Sequence, residues 1–186
     1  MKRLEAIIRD DPGLMPVMEC LRDVALPQWR IVAGCLYQTV WNVLADLPRG
    51  TGIQDIDVIY YDDDLSWEAE DTVITHVTSV CRRGLGETVP LQVRNQARVH
   101  LWYERRFGVP WTPSVSADDS LSRFPAAAGA IGARLEPDGR LDLIAPFGVD
   151  DLFAMIMRPN PLCPHLATFD AKVARARAIW PVIAVP

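Results

Sequence analysis

Lysine is nearly missing from this chain. Lys2 and Lys172 are its only two lysines, and every other basic residue is an arginine. There is no basic tract, and the net charge is −5. That charge is uneven. Residues 1–93 hold 8 Lys+Arg against 15 Asp+Glu, a charge of −7, and residues 94–186 hold 11 against 9, a charge of +2. A mildly acidic chain without a basic run is poorly suited to tight nonspecific nucleic-acid binding, and none is expected. A small anionic ligand needs only a few placed arginines, and Arg suits phosphate. A biased genome composition gives the same arginine excess.

Other absences narrow the class. Cys20, Cys35, Cys81 and Cys163 form no C-x-x-C pair, and His76, His100 and His165 show no ligand spacing. A zinc site is therefore not expected, and reduced, buried thiols are the ordinary reading. No apolar run reaches the roughly 18 residues that span a bilayer. Met1-Lys2-Arg3-Leu4-Glu5 mixes charges and leads into Asp10-Asp11-Pro12, unlike a signal peptide. The expected setting is the cytoplasm, without a membrane partner. No G-x-G-x-x-G and no P-loop sequence occurs. With 186 residues, 49% hydrophobic and 23% charged, the composition is that of a globular protein, expected as one domain over residues 1–186.

Periodicity organises what is present. Leu14, Val17, Met18 and Leu21 predict a helix over 14–25, ended by Pro27. Trp29 to Ala33 reads as a strand stopping at Gly34. Residues 35–46 read as a mostly buried helix in which Gln38, Asn42 and Asp46 form a narrow polar seam. A loop follows over 47–52, then a strand and the acidic turn Asp62-Asp63-Asp64. Helices are predicted over 66–82 and 96–107, with a strand from Val89 to Val93 between them. A short helix over 117–124 precedes a hairpin, 131–135 and 141–144, around Pro137-Asp138-Gly139. Val149, Leu152, Phe153 and Ile156 mark another helix face, and 167–179 a last helix. Helices and strands interleave without strict β-α-β order, so a mixed sheet flanked by helices is expected, an α/β (α+β) class.

Asp55-Ile56-Asp57-Val58-Ile59-Tyr60-Tyr61 carries the chemistry. Side chains alternate along a strand, so Asp55 and Asp57 share one face. Their Cα atoms lie roughly 6.5–7 Å apart, close enough for both carboxylates to reach one cation. Unpaired carboxylates on a core strand are costly to bury, and Mg²⁺ or Mn²⁺ relieves their repulsion. A strand end already in solvent explains the pair equally well. Upstream, Gly34-Cys35 marks a strand-to-helix turn whose free N–H groups suit a phosphate. A phosphate site beside a two-carboxylate metal site is what nucleotidyl transfer needs.

These segments together resemble a known family. The resemblance rests on Ala33-Gly34-Cys35, on Tyr37 to Asn42, on Asp55 to Asp62 and on Val93 to Trp102. It continues through Ala145-Pro146-Phe147-Gly148 with Asp151-Leu152-Phe153, and through Arg158 to Pro161. It covers roughly residues 18–184 and is to the small bacterial nucleotidyltransferase-like proteins of the NTP_transf_6 type. These are distant relatives of the DNA polymerase β-like superfamily and of the head domain of CCA-adding enzymes. The resemblance implies a nucleotidyltransferase-like fold with Asp55 and Asp57 as catalytic metal ligands. The resemblance supplies no substrate; the phosphate and metal sites together lead to a nucleoside triphosphate as the expected one, and the acceptor stays open between a small molecule, an RNA and a protein.

Two positions depart from that pattern. Cys35 stands where the superfamily has a small Gly or Ser, which removes a hydroxyl contact to phosphate. Gln92 stands where related chains carry a third carboxylate, and a neutral amide is a poor base and metal ligand. Asp142, on the hairpin, is the candidate replacement. Candidate substrate contacts are Gly34, Cys35, Gln38, Asn42, Asn95 and Arg98. Gln38 and Asn42 equally suit satisfying core backbone groups, Asn95 and Gln96 suit helix capping, and Arg98 suits pairing with Asp62 to Asp64. His100 reads as a hydrogen-bonded, half-buried histidine. The leading expectation is a nucleotidyltransferase. The alternatives are a nucleotide-binding or interaction module with impaired catalysis, and a toxin–antitoxin-like partner.

Overall fold

The computed structural model describes residues 1–86, 90–165 and 167–186. The chain opens with α1 (Lys2–Arg9), absent from the sequence reading, which buries Leu4, Ile7 and Ile8. Asp11 then accepts from the backbone N–H groups of Gly13 (2.9 Å) and Leu14 (3.0 Å) and so caps α2 (Leu14–Val24). The apolar residues spaced along α2, Leu14, Val17, Met18 and Leu21, are all buried. Left-handed Ala25 ends it. After β1 (Arg30–Val32) comes α3 (Gly34–Leu44), buried on nearly every side, with Trp41 packed edge-on to Trp180 at 5.5 Å.

β2 (Ile56–Tyr60) leads to α4 (Trp67–Leu85), which is capped by the Ser66 hydroxyl accepting from Ala69 N–H. The next strand, β3, is Leu91–Asn95. It runs later than the predicted Val89–Val93, whose first residue lies outside the described residues. Asn95 closes β3 and caps a 3-10 turn, Gln96–Arg98, so the expected single helix from Gln96 becomes this turn plus α5 (Val99–Phe107). Then follow α6 (Ala117–Leu121), β4 (Gly132–Leu135), β5 (Leu141–Ile144), α7 (Asp150–Phe153) and α8 (Ala167–Ile179). No helix among the described residues is long and apolar enough to cross a membrane.

The five strands form one mixed sheet in the order β3-β2-β1-β4-β5. β2 and β3 are parallel, and the other neighbours are antiparallel. This is the expected mixed sheet flanked by helices. Alternation gives it two unlike faces. Ile31, Ile56, Val58, Val93 and Ala133 enter the main core with α1 to α4. Val32 and Ile59 join a smaller cluster with Ala33, Ala117 and Leu121 on the opposite face. Asp55 and Asp57 share the parity of Ile59, so the carboxylates lie on this less covered face.

Candidate functional site

The register of the sheet assembles the site. Asp57 on β2 stands across from Val32 on β1 and beside Gln92 on β3. β1 runs opposite to β2 and β3, so its C-terminal end meets their N-terminal ends. The chain leaves β1 through Ala33, enters α3 at Gly34, and thereby brings a helix N-terminus next to Asp55 and Asp57. Ala33 makes this turn with φ 56° and ψ −117°, a conformation that favours glycine. Its N–H donates to Ile131 O at 3.2 Å, and its carbonyl accepts from Leu36 and Tyr37, which holds the turn in place.

Gly34, Gln38, Asp55, Asp57 and Gln92 all line one cleft of about 600 Å³. Tyr37, Gly52 and Gln54 add to its walls, and Arg106 reaches it from α5. The far wall is α8, which presents Lys172, Arg175, Ala176 and Ile179, followed by Trp180. Lys172, Ala176 and Ile179 fall on one helix face by spacing, with Arg175 beside them. A Cβ at Gly34 would meet nothing nearer than the Gln38 side-chain nitrogen at 3.9 Å, so the turn is open to the cleft.

Burial sets the electrostatics. It pushes the Asp57 carboxyl above the ordinary range, and the charge of Asp55 adds to this. Lys172 and Arg94 act in the opposite sense. Burial lowers the Lys172 ammonium, partly offset by the charge of Asp57. Among the described residues, neither Asp57 nor Lys172 has an ion-pair partner within 4.0 Å. Asp55 accepts a hydrogen bond from the Gln92 amide.

Two carboxylates open to a cleft are hard oxygen donors, and they suit Mg²⁺, which completes its shell with waters and ligand phosphates. No group of three or more His, Cys, Asp or Glu that could hold a metal occurs among the described residues. Asp142 is not a third ligand. It lies on β5, three strands from β2, roughly 14 Å away by strand spacing alone. There it accepts from Arg30 (2.8 Å) and Arg134 (3.3 Å), and these cations hold its carboxyl below the usual range against the opposing effect of burial. Arg30 is buried, paired with Asp118 as well, and is the centre of this network.

Four of the proposed substrate contacts have other duties. The Cys35 thiol is buried and donates to Val32 O at 3.6 Å. Burial, then the charges of Asp57 and Asp55, raise its pKa, so it stays a neutral core thiol. Asn42 is also buried and donates to Thr51 O at 3.0 Å, tying down the loop that carries Gly52. Thus the polar seam divides, with Gln38 reaching the cleft and Asn42 serving the backbone. Asn95 caps the 3-10 turn and donates to Asp62 O at 2.9 Å. Arg98 pairs with Glu70 and donates to Leu65 O at 3.0 Å, rather than pairing with Asp62 to Asp64. Among the described residues the buried Nδ1 of His100 has no hydrogen-bond partner, unlike the hydrogen-bonded histidine expected. Lys172, Arg175 and Arg106 were missed. The available signal was the lone lysine of the second half, three residues before an arginine on a predicted helix.

A mixed sheet of this order, with a strand-to-helix glycine turn beside an Asp-x-Asp strand, defines a nucleotidyltransferase-like head. A family model described as nucleotidyltransferase, NTP_transf_6, matches residues 19–185, and the chain belongs to that family. None of the functionally curated proteins matches significantly. Among solved structures, an NMR structure described as a CCA-adding enzyme head domain superposes with a TM-score of 0.81. The match is at 22% identity and covers 100% of this chain and 95% of that one. The CCA-adding enzyme of Thermotoga maritima, complexed with tRNA, gives 0.57 at 14% identity, covering 98% of this chain and 42% of that one. A CCA-adding enzyme complexed with CTP gives 0.51 at 17%, covering 94% and 38%. The chain therefore spans about two fifths of those two enzymes, and at these identities the likeness is one of fold.

Proposed function

We propose that the cleft binds a nucleoside triphosphate with one Mg²⁺ or Mn²⁺ and transfers its nucleotidyl group to an acceptor. The observation that carries this reading is the convergence of the Gly34 turn with Asp55 and Asp57 on one wall of one cleft. In it, Asp55 and Asp57 hold the divalent cation, which would offset charge at the phosphate under attack. The α3 N-terminus offers backbone N–H groups to phosphate oxygens, and Gly34 lets them approach. Gln38 supplies a polar contact one helical turn further on. Family membership supports the reaction class, and the CTP complex of a like-folded enzyme supports the ligand class.

One observation favours a second reading, a nucleotide-binding module with weakened transfer. Gln92 occupies the β3 position beside Asp57 and ties its amide to Asp55. A neutral amide cannot take the acceptor proton. Incubating the protein with each of the four NTPs, Mg²⁺ or Mn²⁺ and a cell extract, followed by intact-mass analysis, tests the two. Added nucleotidyl mass on a protein or RNA supports transfer. Saturable NTP binding by calorimetry without any mass change supports the module. Absence of NTP binding overturns both.

A further inference from the structure

The carboxylate chemistry leaves the α8 wall without a task. Lys172 and Arg175 project into the same cleft as Asp55 and Asp57, and Arg106 joins them from α5. The cleft thus holds three cations against two carboxylates. Lys172 is half-buried, and with no ion-pair partner within 4.0 Å among the described residues its charge is offset only in part by Asp57 and Asp55, so an anionic ligand would add counter-charge. Arginine beside it offers a planar fork matched to phosphate oxygens. The N-terminus of α3 at Gly34, also electropositive, lines the same cleft. A cavity of about 600 Å³ has room for an extended anion.

From this arrangement, the geometry points to α8 as a polyphosphate clamp: Lys172 and Arg175 take the terminal phosphates of a chain of at least two phosphates. The inference rests on reading the cleft as a nucleotide site and assigns the grip on the ligand's terminal phosphates to Lys172 and Arg175. It also gives this end of the ligand a grip that needs no divalent cation.

Calorimetry in EDTA separates this from the metal reading. The probes are inorganic tripolyphosphate, pyrophosphate and orthophosphate. Tripolyphosphate is expected to bind the wild type at least tenfold tighter than orthophosphate. Lys172→Met and Arg175→Met are each expected to weaken it at least tenfold, while Asp55→Asn/Asp57→Asn binds it as well or better. Arg175 is exposed, so Arg175→Met keeps the test standing if Lys172→Met does not fold. Folded α8 variants that bind tripolyphosphate like the wild type overturn the clamp, as does equal binding of the three anions. If NTP binding with Mg²⁺ persists in those variants, only the clamp fails. If tripolyphosphate binding depends on α8 but no NTP binds, only the nucleotide reading fails.

Discussion

Gln92 donates its side-chain amide to Asp55 from the β3 position that stands directly beside Asp57. The amide therefore does for the carboxylate pair what a cation would do, weakly and without charge. Glutamate in its place would fit the same space and add a third negative oxygen donor set.

Gln92→Glu is accordingly expected to tighten Mn²⁺ binding about tenfold or more, as each added hard carboxylate does for a divalent site. It should also lower metal-free stability, because three like charges then crowd the same end of two neighbouring strands. Titration calorimetry with Mn²⁺ and melting in EDTA read both. Unchanged Mn²⁺ affinity would place the cation away from β3.

Removing the pair tests the metal assignment itself. A cation that binds only the native state adds about 2.7 kcal/mol at a hundredfold excess over Kd. For a chain of this size that corresponds to a rise of about 5–10 °C in Tm. Asp55→Asn/Asp57→Asn should stay folded and lose this rise. Retention of the full rise would show that the divalent site lies elsewhere.

The Gly34 turn is open enough for a clean test. A Cβ there meets nothing nearer than the Gln38 side chain, at 3.9 Å, so Gly34→Val should fold. Its bulk would cover the α3 N–H groups, and NTP affinity should fall at least tenfold in calorimetry. Wild-type affinity in the folded variant would rule out the turn as a phosphate contact.

Gly52 couples the 47–54 loop to α8. Its φ is +78°, and an added Cβ would lie 2.6 Å from Ile179 Cδ1 and 3.1 Å from the Trp180 ring. Gly52→Ala should cost about 2–3 kcal/mol through the left-handed backbone and the clash together. It should also weaken anion binding by displacing α8. Urea melts measure the first effect and tripolyphosphate calorimetry the second.

Acid stability is expected to depend on Asp142. Its carboxyl is depressed in the folded state by Arg30 and Arg134, working against burial. The stabilisation is thus fully present above the unfolded carboxylate value of about 4, and is lost as pH falls through the lower folded value. Asp142→Asn should cost about 1–2 kcal/mol at neutral pH, as for a hydrogen bond to a charged group. The gap from wild type should close in strong acid. A gap that is constant across pH would assign the loss to packing alone.

The sheet and the carboxylate pair were legible in the sequence for separate reasons. Leu14, Val17, Met18 and Leu21 fix a helix by spacing alone, and Asp55-x-Asp57 is conspicuous because strands alternate. α1 escaped notice because Leu4, Ile7 and Ile8 give barely two turns of apolar signal among four charged residues. The α8 cations were hidden differently. That helix has an apolar stripe, Phe169, Val173, Ala176 and Trp180, but Lys172 and Arg175 lie on its flank, where charges ordinarily face solvent. Burial of Phe169, Ala176 and Trp180 turns that flank towards the cleft. Asn42 and Gln38 differ by one helical turn, and nothing local to either could tell which met a loop carbonyl and which met open space.

Ala33 holds its unfavourable backbone geometry through hydrogen bonds of the chain itself, to Ile131 and from Leu36 and Tyr37. Whatever anion arrives at Gly34 therefore finds the N–H groups fixed in advance, and little chain entropy remains to be lost on binding. Association there should be fast and governed by charge, with a small heat-capacity change, and the slow part of any catalytic cycle would fall on steps away from this turn.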